Sequence, residues 1–137
     1  MAFPGLDTVI GGSTTARDPQ AAASYFAKGL ECERSGDRLG AIEIYREAVE
    51  RDRKPEYLFR LSYLLDLVGE ENEAIRLLAE ACQCAEPPVN ALINLAIMHE
   101  DRGEIHQAER CLRKVLDSNP NHERARLFMK DVVASKD

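Results

Sequence analysis

Three histidines, four cysteines and a pair of adjacent glycines are the residues of this chain whose types could carry chemistry. His99, His106 and His122 stand near Asp and Glu residues, the pairing used in general acid–base catalysis. Catalysis would also need a nucleophile, an oxyanion hole or a phosphate-binding loop, and no segment carries such a pattern. Gly11-Gly12 lacks the following Lys-Ser and the strand context of a phosphate loop. Cys82-Gln83-Cys84 puts two thiols close in sequence. On a helix, however, residues i and i+2 point about 200° apart, whereas zinc ligands come as Cys-x-x-Cys pairs with a second pair nearby. The expectation is therefore no enzyme, no metal and no cofactor. His99 is read as a partly buried packing residue, Cys82 and Cys111 as core filler, and Cys84 as exposed near a helix end.

The elements that would position these residues belong to one small domain. A chain of 137 residues, 45% apolar and 31% charged, can bury a single continuous core. A formal charge of −6 disfavours direct nucleic-acid or anionic-membrane binding, because displacing counterions needs clustered Lys and Arg. Met1 to Ile10 has neither the basic start nor the apolar run of a secretory signal. No stretch approaches the ~18 apolar residues of a membrane span. A cytoplasmic setting with reduced thiols follows as the expectation.

Gly36, Gly69 and Gly103 recur at intervals of 33 and 34 residues, each between two amphipathic stretches. A period of this length points to helix-turn-helix units stacked into a solenoid, because one helical pair cannot bury its own apolar face. Helices are expected at about 19–35 and 38–52, 55–68 and 71–84, 88–102 and 105–118, with a last one from 121. Pro55, Pro87-Pro88 and Pro120 fall between the pairs, where proline ends one helix and starts another. Asp18-Pro19 is a helix start, with the Asp side chain capping the first amides. Residues 1–17 have no helical period and are expected to form a flexible tail ahead of a domain at 18–137.

Ala41, Ala74 and Ala108 follow the turn glycines by five residues, Tyr45, Leu78 and Leu112 by nine, and Ala48, Ala81 and Val115 by twelve. On these residues, with Pro120 closing the third unit, the chain resembles the tetratricopeptide repeat family. The family's small position in the first helix is kept as Gly29, Ser62 and Ala96, whereas its Trp position holds Tyr25, Leu58 and Leu92. The resemblance implies an all-α, right-handed helical solenoid with repeats at about 22–54, 55–88 and 89–121 and a capping helix at 121–135.

It also implies a function, that of a non-enzymatic protein-interaction scaffold. In such repeats the first helix of each pair lines a concave groove. Helical phase then directs Ala23, Phe26, Leu30 and Glu33, Glu56, Phe59, Tyr63 and Asp66, and Asn90, Ile93, Ile97 and Glu100 into it. Phe26, Leu30, Phe59, Tyr63, Ile93 and Ile97 would form an apolar floor, and Glu33, Asp66, Glu100 and Asp101 an acidic margin. The implied partner is a peptide or amphipathic helix with apolar anchors and basic residues towards that margin. Family members that grip the C-terminal carboxylate of heat-shock chaperones use a Lys, Arg and Asn set. Here those places hold Phe26, Leu30, Arg60, Asn90 and Asn94, so that mode is not expected.

Three further expectations complete the reading. Phe3, Leu6, Val9 and Ile10 give the tail apolar residues that could occupy a groove, and self-association through the same apolar face is the alternative function. Arg51, Arg53 and Lys54 are solvated at a helix end, where they could favour an acidic partner on the convex side. Residues 64–137 are similar to repeats of bacterial proteins that precede a domain like the carboxy-terminal domain of the RNA polymerase α chain, which implies a transcription-associated setting.

Overall fold

The first helix begins where Asp18 accepts a hydrogen bond from the Ala21 amide at 3.1 Å and Pro19 fixes the first helical φ. A computed structural model describes residues 16–136 of the chain. The expected tail, with Phe3, Leu6, Val9 and Ile10, lies outside the described residues apart from Ala16 and Arg17. Seven helices follow in order: α1 (Pro19–Arg34), α2 (Arg38–Arg51), α3 (Pro55–Leu67), α4 (Glu71–Ala81), α5 (Val89–Asp101), α6 (Ile105–Ser118) and α7 (Glu123–Ala134). No strand occurs among the described residues, and none of the described helices is long and apolar enough to cross a membrane.

The recurring glycine has a backbone cause. Gly36, Gly69 and Gly103 take φ of +86°, +91° and +77°. Each sits just past a helix end, where its own amide and the next one return to carbonyls of the last turn. Gly36 donates to Glu33 at 3.0 Å and Asp37 to Cys32 at 2.9 Å. Gly69 and Glu70 repeat this on Asp66 and Leu65, and Gly103 and Glu104 on Glu100 and His99. This double bond to the last turn needs a left-handed residue, which costs an L side chain about 1–2 kcal/mol.

The helices form two layers. α1, α3 and α5, the first helices of the three units, make one, and α2, α4 and α6 the other. Ala41, Ala74 and Ala108 are fully buried where the helices of each pair cross, with Tyr45, Leu78 and Leu112 beside them. α7 packs on α6 and buries Ala125 and Val132, and Lys136 reaches Glu109 at 3.2 Å. α4 stops at Ala81, three residues short of the expected 84. There the amides of Cys82 and Gln83 turn to carbonyls three residues back, a 3₁₀ closure ahead of Pro87-Pro88. α7 begins at Glu123 instead of 121, because the ring Nδ1 of His122 accepts the Ala125 amide at 3.2 Å and sets the helix start.

Two ion pairs tie α2 and its end to α4: Arg46 with Glu73, and Arg53 with Glu80 at 2.6 Å. Hydrogen bonds from these guanidiniums hold both carboxyls below the usual carboxylate range. A carboxylate depressed in the folded state adds stability above its unfolded pKa and loses it as pH falls through the folded value. Acidification from about pH 5 to about pH 3 should therefore narrow the Tm gap between wild type and an Arg46→Ala/Arg53→Ala variant, read by circular dichroism. At about pH 7 that gap reflects at most ~1 kcal/mol per pair, because both are partly exposed.

Candidate functional site

The first-helix layer carries the residues singled out from the sequence, and their exposure differs from unit to unit. Tyr63 on α3 is 44% exposed and lies at the junction of two clefts. One, of about 180 Å³, runs between α3 and α5 over Leu78 of α4 and is lined by Ser62, Asp66, Asn94, Ile97 and Met98 besides Tyr63. The other, of about 190 Å³, is bounded by Glu33, Arg38, Leu64 and Leu67. The structure therefore brings Glu33, Tyr63, Asp66, Asn94 and Ile97 around one centre.

Other expected residues are placed differently. Ile93 is only 1% exposed and belongs to the core, which corrects the expectation of a continuous exposed floor. Phe26 is half-buried, with its ring centroid 4.5 Å from that of Tyr57 and 5.3 Å from that of Tyr45. Leu30 and Phe59 are also partly buried against the core. Glu33 does not stand free at an acidic margin: the Tyr45 hydroxyl donates to it at 2.6 Å, and Arg60 pairs with it at 3.3 Å. Burial, and then Glu33, raise the Tyr45 phenol above its usual range, so it stays a donor. Asp66, Glu100 and Asp101 make no ion pair among the described residues.

Sequence reasoning missed Leu67 and Val68, which are 46% and 37% exposed at the end of α3. A signal was present. The two residues before the turn glycine are Arg34-Ser35 in the first unit and Asp101-Arg102 in the third, so an apolar pair in the second unit is out of pattern. Exposed apolar side chains grouped in this way mark interaction surfaces.

Two of the three histidines are engaged in structural contacts. His99 is part-buried with Nδ1 2.8 Å from Glu104, His122 caps α7, and His106 is exposed. Burial pushes the Cys82 thiol up to about 12 and raises that of Cys111, so neither is a ready nucleophile at neutral pH. Among the described residues no cluster of three His, Cys, Asp or Glu could hold a metal ion.

A family model for the tetratricopeptide repeat matches residues 22–55 and again residues 89–122. The chain belongs to the tetratricopeptide repeat family. The segment between the two matches folds as the same unit, with Gly69, Ala74, Leu78 and Ala81 in the places held by Gly36, Ala41, Tyr45 and Ala48. Solved structures of similar fold include the first tetratricopeptide repeat domain of Spaghetti (RPAP3) bound to an HSP90 peptide. It has a TM-score of 0.75 at 17% identity, over 87% of this chain and 95% of that one. The Yersinia enterocolitica type III secretion chaperone SycD, in complex with a peptide of the translocator YopD, gives 0.74 at 13% identity, over 88% and 98%. PcrH in complex with the chaperone-binding region of PopD gives 0.71 at 20% identity, over 88% and 96%. No curated protein matches the sequence.

Proposed function

We propose that this tetratricopeptide repeat protein is a non-enzymatic adaptor that holds a peptide or amphipathic helix of a partner protein in the groove of its first-helix layer. The observation that carries the reading is Tyr63, a large side chain left 44% exposed between two clefts, with the exposed Leu67 lining one of them. Phe59, Leu30 and Ile97 extend the apolar surface, and the flanking Phe26 and Ile93 give it rigid support. Asp66, Glu100 and Asp101 favour a ligand with Lys or Arg on that side. Asn94, in the cleft itself, offers both a donor and an acceptor to a peptide backbone. Three structures of like fold hold peptides of other proteins, which supports a peptide as the ligand class. Arg60, the sole cation among the places used for chaperone carboxylates, is paired with Glu33, which argues against that mode.

Burying roughly 400 Å² of apolar surface gives on the order of 10 kcal/mol gross, and association entropy reduces this to micromolar-range binding. The setting we favour is cytoplasmic, on the four free thiols, and transcription-associated, on the likeness of residues 64–137. Any DNA contact would then belong to another domain.

The test is affinity capture from lysate with wild type and Tyr63→Ala/Leu67→Ala, with molar mass by light scattering alongside. Both side chains are exposed, so helicity and Tm should stay close to wild type. A genuine groove ligand should lose about 30-fold or more in affinity, the size of a hot-spot truncation. A partner held equally by the variant rules out the groove. A homodimer that the same substitutions dissociate assigns this face to self-association.

A further inference from the structure

Given the groove proposed above, we infer that its ligand carries an arginine whose guanidinium seats beside Asp66 and Asn94. The preceding junction between units supplies its own cation at the equivalent place. Glu33, Asp66 and Glu100 each stand three residues before a turn glycine. Glu33 is served twice: the Tyr45 hydroxyl donates to it at 2.6 Å, and Arg60 of the next unit pairs with it at 3.3 Å.

The second junction repeats the first without either partner. Tyr45 comes nine residues after Gly36, and nine after Gly69 comes Leu78, which has no hydroxyl to donate. Arg60 comes nine residues before Gly69, and nine before Gly103 comes Asn94, which has no charge. Asp66, Leu78 and Asn94 line one cleft of about 180 Å³. No lysine or arginine lines it, and Asp66 makes no ion pair among the described residues. The second junction thus keeps the acid, lacks the cation and has an open cleft beside both positions.

The surroundings select among cations. Asp66 and Asn94 are shorter than their counterparts Glu33 and Arg60, which leaves room for a long side chain entering from solvent. Tyr63 and Ile97 offer apolar walls to its methylenes. A guanidinium presents a planar fork that matches the Asp66 carboxylate, keeps N–H donors over for the Asn94 side-chain oxygen, and is more weakly hydrated than an ammonium. Asp66 has no competing cation at hand, so the charge that the ligand brings is unmatched until it binds.

The probe is a library of short random peptides displayed on phage and selected on the full chain. Counter-selection on Tyr63→Ala/Leu67→Ala removes peptides held elsewhere, and the remainder should be enriched in Arg beside apolar residues. One selected peptide is then made with fluorescein in two forms, with Arg and with its neutral isostere citrulline, and titrated by fluorescence anisotropy. Against wild type the citrulline form should bind about fivefold more weakly, the size of one partly exposed ion pair, and the difference should shrink as salt rises. Against Asp66→Asn the two forms should bind alike. They should also bind alike to Asn94→Arg, which rebuilds the arrangement of the first junction within the chain. Asp66 is exposed and Asn94 only partly buried, so circular dichroism should show an unchanged fold in both variants. Groove peptides without Arg enrichment, or a citrulline penalty that persists in either variant, would overturn the arginine seat and leave the groove standing. A library that yields no peptide after counter-selection would overturn the groove, and the arginine seat with it.

Discussion

Gly29→Ala is expected to lower stability by about 1–3 kcal/mol or more, and Tyr45→Leu in the same chain to restore part of the loss. A Cβ at Gly29 would lie 2.3 Å from Cε1 and 2.4 Å from Cδ1 of Tyr45. The ring cannot yield easily: Tyr45 is fully buried, packs on Phe26 and donates its hydroxyl to Glu33. The other two units show how the volumes trade. Ser62 goes with Leu78 in the second and Ala96 with Leu112 in the third, all four buried, whereas the largest second-helix residue sits with the smallest first-helix one. Tyr45→Leu alone should destabilise by opening a cavity and removing the donor to Glu33. Added to Gly29→Ala, it makes the first unit resemble the third. Urea unfolding of the four proteins should give a favourable coupling within about 0.5–3 kcal/mol, and strictly additive losses would refute the volume match.

The fold was legible because its rules are local. Helix starts, turn glycines and the small residues at crossing points each follow from backbone geometry or from one close approach, so Asp18-Pro19, Gly36 and Ala41 could be placed by spacing alone. The groove was less legible, because helical phase gives a direction but not the distance to the next helix. Ile93 points as Phe26 and Phe59 do, yet only Ile93 is sealed into the core. Glu33 was read as a free margin charge. Its capture depends on Tyr45 standing where the other units have Leu, since only Tyr carries a hydroxyl to that depth. The two ion pairs that tie α2 and its end to α4 both join residues 27 apart, a spacing that apolar periodicity does not reveal.

Val132→Asp should undock α7 at a local cost of order 3–5 kcal/mol, while Val133→Asp, one residue on, should be nearly neutral. Val132 is 1% exposed and Val133 is 45% exposed. A carboxylate at the first position enters the α6–α7 contact with no partner, and a buried unpaired charge is among the largest penalties a point substitution can impose. The consequence depends on the solenoid. Units in such a stack are stabilised by themselves and their neighbours, and α7 rests on α6 at the end of the chain of contacts. Loss of α7 should therefore loosen α6 and leave α1 to α4 folded. Hydrogen exchange should show protection falling in peptides of residues 105–134 and holding in those of 19–67. Cys111 supplies a second readout, because its buried thiol on α6 should become reactive towards a disulfide reagent in Val132→Asp but not in Val133→Asp. Uniform loss of protection along the whole chain would mean that the units unfold as one, and that the third is no more independent than the layers of an ordinary core.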